Sequence, residues 1–226
     1  MKFEGSDMLL TRDHLPETIS DIASLDELLC RPSQALIDDL RKVDGDIMIL
    51  GVAGKMGPTL AGLAKAAAPD RRIIGVARFS DAGVKDWLQA RGIETINCDL
   101  LDEAAIKALP KIPNIVFMAG RKFGAEGDLS LTWAMNSHVP ALVAQAFAGS
   151  RIVAFSTGCV YPFVPVNGKG AEESEALNPP GEYAQSCVGR ERMFEYFSRK
   201  HSTPGRLFRL NYAIDMRYGG QHDIAS

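Results

Sequence analysis

The stretch DIMILGVAGKMGPTLA, residues 46–61, decides the fold. A run of apolar residues leads directly into Gly51, Gly54 and Gly57, and an alanine-rich segment follows them. The apolar run predicts a buried strand, and the segment after the glycines has the composition of a helix. Three glycines between a strand and a helix favour a nucleotide-binding turn. The turn is not a P-loop, because no GK[ST] sequence follows it.

Each glycine has a separate physical role in such a turn. One permits the sharp change of direction, one lets a pyrophosphate approach the backbone, and one allows the helix to pack close to the sheet. Pro58 suits the first helical turn, where its missing N–H is harmless. The free N–H groups at the start of the helix can then bind phosphate oxygens. Lys55 and Met56, between the second and third glycines, belong to the same predicted site.

Outward from this turn, short apolar runs alternate with helical segments. Most of these runs are of the kind typical of strands buried on both faces, and their alternation with helices predicts a parallel sheet. The sequence therefore predicts an α/β fold, a doubly wound parallel sheet of the Rossmann type with helices on both faces. The predicted strands are 47–50, 72–77, 93–97, 115–118, 151–155 and 207–210, and the predicted helices are 59–68, 84–90, 103–109, 130–147 and 183–201.

Two segments lie outside this alternation. Residues 1–44 are polar and acidic, with spaced apolar positions that predict two short helices broken near Arg31-Pro32. We expect them to form a helical N-terminal extension, packed on the outside of a main domain at 45–226. Residues 162–180 are rich in Pro, Gly, Asn and Glu, which predicts an exposed loop of the kind that often carries function.

The composition narrows the class of protein. Hydrophobic residues make up 46% and charged residues 23% of the chain, as in ordinary globular proteins. A net charge of -3 argues against nucleic-acid and membrane-surface binders, and no apolar run is long enough to span a bilayer. The four cysteines are widely spaced and indicate neither a disulfide framework nor a metal site. We expect a cytoplasmic protein that binds small molecules.

The end of the second predicted strand usually decides between NAD and NADP. An acidic residue there would hold the ribose hydroxyls, whereas an arginine favours a 2′-phosphate. The strand ends at Arg78, with Ser80 two residues later, and both suit NADP. Asp81 is close enough to keep NAD as an alternative.

The glycine turn, STGCVY at 156–161 and YAQSC at 183–187 together resemble the extended short-chain dehydrogenase/reductase family, in its NAD-dependent epimerase/dehydratase group. The resemblance runs from Asp46 to Tyr218 and includes Arg209-Leu-Asn211-Tyr212, which is similar to the exit of the sixth strand. It implies NAD or NADP as cofactor and a sugar or sugar nucleotide as substrate. The implied cofactor contacts are Asp99, Leu100, Ala119 and Gly120, and the implied catalytic residues are Asn136, Thr157 and Tyr183.

The chain departs from this family at Cys187. A tyrosine with its ordinary pKa of about 10 is a poor base at neutral pH. In the family, a lysine one helical turn after the tyrosine lowers that pKa and binds the nicotinamide ribose. A neutral thiol cannot supply this charge, and a thiolate would raise the pKa of the tyrosine. Arg190, seven residues after Tyr183, and the oxidised nicotinamide ring are alternative cations.

Two functions follow from these observations. The first is an epimerase/dehydratase-like oxidoreductase; the second is a dinucleotide-binding protein without turnover, with a regulatory or assembly role, which Cys187 favours. The family continues beyond the sixth strand with a substrate lobe, and we expect most of that lobe to be absent from a chain that ends at Ser226. The resemblance also implies a homodimer. Its support is an excess of apolar residues on the helices of Asn136 and Tyr183: Leu142, Val143, Phe147, Met193, Phe194 and Phe197.

Overall fold

Parallel pairing of short strands builds the sheet of this protein. The computed structural model describes residues 9–122 and 124–211. The strands in those residues are β1 (Ile47–Leu50), β2 (Ile73–Ala77), β3 (Glu94–Asn97), β4 (Asn114–Phe117), β5 (Arg151–Thr157) and β6 (Gly205–Leu210). They form one sheet in the order β3-β2-β1-β4-β5-β6. This is the strand order of doubly wound dinucleotide-binding folds, and it confirms the predicted fold class.

The helices fall where the predicted alternation requires them. In the described part of the chain they are α1 (Ile22–Leu29), α2 (Gln34–Arg41), α3 (Gly57–Ala67), α4 (Ala82–Ala90), α5 (Glu103–Ala108), α6 (Leu129–Trp133), α7 (Val139–Ala146) and α8 (Glu182–His201). None of these helices is both long and apolar enough to cross a bilayer.

The chain divides into two compact units. The first contains the described residues up to Cys98 together with Ile112–Met118, and so includes β1 to β4 and α1 to α4. The second contains Asp99–Lys111 and the described residues from Ala119 onward, and so includes β5, β6 and α5 to α8.

The core of the first unit lies at β1 and β2, whose residues are all buried. The two strands pair in parallel with Ile49 opposite Gly75. Because Gly75 has no side chain, Val52 can pack there; a Cβ on Gly75 would lie 2.8 Å from Val52 Cγ1. The residues just after β1 are thereby fixed against β2, and these are the residues that begin the glycine turn.

The edge strand β3 is more exposed than β1 and β2. Burial on both faces was expected for most of the strands, but in β3 Glu94 and Asn97 are exposed and the two residues between them are half-buried. This strand is the last one of the sheet and pairs with β2. Its first residue instead forms a surface ion pair with Arg72, Nε to Oε2, at 2.7 Å.

The two short helices predicted before the main domain are present as α1 and α2, and the domain bounds 1–44 and 45–226 stay a prediction. The N-termini of the two helices are capped by Asp21, which accepts from Ser24 N at 2.7 Å, and by Ser33, which accepts from Leu36 N at 3.2 Å. Cys30, just after α1, is buried against α3, where a Cβ on Gly62 would lie 2.5 Å from its Sγ. Because Gly62 has no side chain, Cys30 can pack against α3, and α1 lies on this helix.

The second unit contains one helix that is less regular than predicted. A single helix was expected at 130–147, but a π-helical turn, Ala134–His138, separates α6 from α7. The prediction of one regular helix is wrong because Pro140 has no N–H to donate to the carbonyl of residue 136. Single π-turns are often found at functional sites, and this one carries the fully buried Asn136.

Candidate functional site

In the first unit, Gly51 makes the turn that follows β1. Its φ of 86° lies in the left-handed region, which residues with a Cβ rarely adopt. Its N–H donates to Val76 O at 2.8 Å, so the turn begins while the chain is still bonded to β2. The next two glycines are linked in the same way, because Gly54 N donates to Gly51 O at 3.1 Å and Gly57 N donates to Gly54 O at 3.2 Å.

Gly57 and Gly54 are needed for different reasons. A Cβ on Gly57 would overlap Val52 O and lie 2.6 Å from the Val52 carbonyl carbon, so the start of α3 could not pack as it does. A Cβ on Gly54 would meet only Gly51 O, at an ordinary 3.4 Å. Gly54 is exposed. The protein's own packing therefore explains Gly57, whereas Gly54 leaves room for an approaching group.

The start of α3 fits an anionic group. Met56 at the N-cap makes no side-chain hydrogen bond to the helix, and Pro58 lies in its first turn. An N-terminus without a side-chain cap presents N–H groups and partial positive charge to phosphate oxygens. Lys55 beside it is exposed. The open backbone at Gly54 and this helix start are the features a pyrophosphate requires.

The end of β2 carries the residues predicted to choose the cofactor. Arg78 is exposed, and its carbonyl accepts from Asn97 Nδ2 at 3.0 Å. The next residue, Phe79, has a φ of 46°, a strained conformation for an aromatic residue. Asp81 caps α4, where its Oδ1 accepts from Gly83 N at 2.8 Å. The Asp81 carboxylate, which left NAD as an alternative cofactor in the sequence analysis, is therefore used in capping α4.

In the second unit, helix α8 places Tyr183 and Cys187 one turn apart. Tyr183 is half-buried and Cys187 is fully buried. Burial, then the Cys187 thiol, raises the pKa of Tyr183 far above its ordinary value, and Arg190 only partly opposes this. Burial also raises the pKa of Cys187. Both groups therefore stay protonated at neutral pH.

Asn136, predicted as catalytic, is the centre of a hydrogen-bond network. Its Oδ1 accepts from Arg121 N and from Arg190 Nη2, both at 2.8 Å. Its Nδ2 donates to Arg121 O at 3.0 Å and to Ser186 Oγ at 2.9 Å. An asparagine side chain has two donor and two acceptor positions, so all four are used. This geometry makes Asn136 a positioning residue for the chain after β4 and for α8.

The remaining predicted residues of this unit lie at the ends of strands. Thr157 is the last residue of β5, and its Oγ accepts from Cys159 N at 3.2 Å. Asp99 is exposed and accepts from Leu101 N at 3.0 Å. Leu100 and Ala119 are buried. That these residues contact the cofactor or the substrate stays a prediction.

Sequence reasoning missed a buried ion pair. Glu191 is fully buried and accepts from Arg209 Nη2 at 2.8 Å and from Ser156 Oγ at 2.5 Å. Arg209 Nη1 also donates to Tyr161 Oη at 2.9 Å and to Glu173 O at 3.2 Å. The bond to Glu191 is the main reason that the pKa of Arg209 is raised. The available signal was helix spacing, because Glu191 lies one turn after Cys187, on its inward face.

This ion pair adjoins a cleft of about 660 Å³, whose lining includes Tyr161, Glu173, Arg209 and Asn211. The cleft takes in both the predicted loop at 162–180 and the end of β6. Two residues of the family resemblance, Tyr212 and Tyr218, lie outside the described residues.

The apolar residues that supported a homodimer are mostly buried within the chain. Leu142, Val143, Phe147, Phe194 and Phe197 are each at most 8% exposed. They pack inside the second unit and do not need a partner to cover them. The homodimer itself stays a prediction.

Comparison with known proteins identifies the family. A model of the NAD-dependent epimerase/dehydratase family matches residues 47–213, which is most of the chain. The chain belongs to this family, and the predicted resemblance is confirmed. A comparison with curated protein sequences gives no match.

Solved structures of epimerases share the fold. The UDP-glucuronic acid 4-epimerase of Bacillus cereus, in complex with UDP-glucuronic acid and NAD, is 17% identical with a TM-score of 0.63, over 73% of this chain and 55% of that one. The UDP-Glc/GlcNAc 4-epimerase of Campylobacter jejuni is 22% identical with a TM-score of 0.64, over 74% and 53%. The UDP-glucose 4-epimerase of Brucella ovis, in complex with NAD, is 16% identical with a TM-score of 0.61, over 74% and 51%. The chain thus spans little more than half the length of these structures.

Proposed function

We propose that this protein is an NAD(P)-dependent epimerase/dehydratase-type oxidoreductase that acts on a sugar nucleotide. The observation that carries the proposal is the glycine turn, with an open backbone at Gly54 and an α3 N-terminus that lacks a side-chain cap, in a chain of this family. Structures of the same fold contain NAD together with UDP-glucuronic acid or UDP-glucose. The substrate class is taken from those proteins.

The cofactor would be bound by the residues of the glycine turn. The N–H groups at the start of α3 would donate to the pyrophosphate, and Gly54 would let it approach the backbone. The nicotinamide supplies hydride acceptance and donation when it is bound. Because Arg78 is exposed and Asp81 is used in capping α4, we propose a mild preference for NADP over NAD.

Tyr183 would exchange a proton with the reacting oxygen of the substrate. Reduction of a carbonyl needs a proton donor, and a phenol that stays protonated at neutral pH can donate. Thr157 Oγ already accepts one hydrogen bond, from Cys159 N, and its own O–H can donate to the same substrate oxygen. Asn136 would hold α8 in place without touching the substrate.

The raised pKa of Tyr183 predicts an asymmetry between the two directions of the reaction. Oxidation of an alcohol needs the phenolate, whose fraction is small until the pH approaches the raised pKa. Carbonyl reduction needs the phenol, which is the main form throughout the neutral range. Oxidation should therefore rise with pH into the alkaline range, while reduction should be less affected.

A second function is favoured by one observation. Cys187 is fully buried one turn after Tyr183, where the family has a lysine. A protein that binds the dinucleotide and does not turn it over would tolerate this replacement. Such a protein would serve regulation or assembly.

Two further expectations are part of the proposal. The family implies a homodimer. The proposal also places the protein in the cytoplasm, where cysteines such as the four of this chain stay reduced.

The experiment is a spectroscopic assay of the purified protein. The protein is incubated at neutral and alkaline pH with NAD or NADP and a panel of UDP- and dTDP-linked sugars, or with NADH or NADPH and their keto derivatives. Absorbance of NADH or NADPH reports net oxidation or reduction, and ¹H NMR of the sugar reports epimerisation or dehydration, in which the hydride returns to the sugar. The proposal expects a change with at least one sugar nucleotide, which Tyr183→Phe abolishes while dinucleotide affinity is retained. A rate in Tyr183→Phe equal to that of the wild type would show that Tyr183 is structural. Dinucleotide binding without turnover of any sugar would support the second function.

A further inference from the structure

Arg190 is a buried charge in the middle of α8. It is 7% exposed and lies three residues after Cys187. Burying a guanidinium is costly unless its N–H groups find acceptors. Nη1 donates to Phe155 O and Nη2 donates to Asn136 Oδ1, both at 2.8 Å. The arginine is thus held from β5 and from the π-helical turn.

These bonds connect the guanidinium to the turn that carries the tyrosine. Helical side chains lean toward the N-terminus of their helix, so Arg190 reaches back over the preceding turn. Asn136 bonds both to Arg190 and to Ser186 Oγ, which donates to Tyr183 O at 2.7 Å. The guanidinium is therefore linked to the backbone of Tyr183 through two intervening side chains.

The chain after β4 also accommodates this arginine. A Cβ on Gly120 would overlap Arg190 Nη2 and lie 3.1 Å from Asn136 Oδ1. Gly120 was predicted from the family to line the cofactor. In this protein its missing side chain also makes room for the guanidinium.

We infer that Arg190 is the cationic positioning residue of the tyrosine site, where its guanidinium takes the electrostatic place that the family gives to a lysine at position 187. This rests on the proposed function, in which Tyr183 exchanges the proton. In this protein the cation lies two helical turns after the tyrosine, whereas the lysine of the family lies one turn after it. The buried position one turn after Tyr183 is occupied by the neutral thiol of Cys187.

The charges that act on the phenol agree with this assignment. Among the described residues, the titratable groups that act on the pKa of Tyr183 are the thiols of Cys187 and Cys159 and the guanidinium of Arg190. Burial and the two thiols raise the pKa of Tyr183, and Arg190 lowers it. Arg190 also lowers the pKa of Cys187. Its charge therefore favours the phenolate, as the lysine does in the family.

The test measures the phenol directly, without cofactor or substrate. Tyr183 is replaced by a polyfluorinated tyrosine, whose phenol titrates in an accessible pH range, and its pKa is read by ¹⁹F NMR. An opposite charge near an ionisable group shifts the pKa by about one unit or more. Arg190→Met should therefore raise the phenol pKa by at least about one unit, a tenfold change in the ionisation constant. Arg190→Lys should keep most of the wild-type value, because it keeps the charge.

The matched control is Arg192→Met. This arginine is on the same helix, two residues further on, but it is exposed and paired with Glu195 at 2.8 Å. Its removal should leave the phenol pKa unchanged. If Arg190→Met fails to fold, the phenol pKa is measured in Arg190→Gln instead. This variant keeps a donor for Asn136 and removes the charge, so the same rise is expected.

Two results would overturn the inference. One is a phenol pKa that does not change when the charge at position 190 is removed. The other is an equal rise in the Lys and Met variants, which would assign the effect to packing. The measurement uses the protein alone. A failure to bind dinucleotide or to turn over a sugar would therefore refute the proposed function without affecting the inference that Arg190 lowers the pKa of Tyr183.

Discussion

The buried ion pair between Glu191 and Arg209 allows a sharp prediction of stability. The Glu191 side chain is fully buried, whereas the Arg209 side chain is 16% exposed. Arg209→Met would leave the carboxylate buried, with the hydroxyl of Ser156 still donating to it. Removing one partner of a buried pair costs about 3–5 kcal/mol, because the other charge is left uncompensated. We expect a loss of this size in the free energy of unfolding.

The reverse change should cost less. Glu191→Gln leaves the guanidinium of Arg209, which still donates to Tyr161 Oη and Glu173 O and can reach solvent. We therefore expect about half the loss, and the difference between the two variants reports which charge is the more buried. The assay is urea unfolding followed by circular dichroism at neutral pH.

The control for this prediction is on the same strand. Arg206 is exposed, and Arg206→Met should change the free energy of unfolding by no more than about 0.5 kcal/mol. Equal losses in Arg206→Met and Arg209→Met would refute the reasoning, since they would show that the buried pair contributes no more than a surface charge.

Three further predictions concern the cofactor, the tyrosine and the assembly. Arg78→Ala should weaken NADP binding by roughly 1.5–3 kcal/mol without affecting NAD, because only NADP has the 2′-phosphate; equal wild-type affinities in calorimetry would contradict this. Cys187→Lys should lower the pH at which alcohol oxidation becomes efficient, because an ammonium favours the phenolate of Tyr183; an unchanged pH–rate profile would count against it. Light scattering should give the mass of a homodimer, and a monomer mass at high concentration would argue otherwise.

The sequence predicted the fold because the decisive features are local. The apolar run before Gly51 and the glycine spacing fix a strand, a turn and a helix within sixteen residues. The exposure of β3 depends on its place at the edge of the sheet, which its local sequence does not specify. The interruption of the helix at 130–147 follows from Pro140, a signal that was present in the sequence and not used.

The candidate site was predictable only in part. The spacing of Tyr183 and Cys187 on one helix face could be read directly, since one helical turn separates them. The environment of Arg190 could not, because it depends on acceptors from Asn136 and Phe155 that are distant in sequence. The partner of Glu191 was missed for the same reason. Tertiary contacts of charged residues leave no periodic signal in a single sequence.

Calorimetric titration with NAD and NADP tests the central claim most directly. Wild-type protein should bind at least one of them, and Gly54→Asp should abolish binding, because it adds a side chain and a negative charge where the pyrophosphate would approach. Gly127→Asp is the control, since Gly127 is exposed and a Cβ there meets nothing within 4 Å. Binding by the wild type and the control, but not by Gly54→Asp, is the predicted result. No binding of either dinucleotide by the wild type at millimolar concentration, or equal binding by Gly54→Asp, would contradict the account.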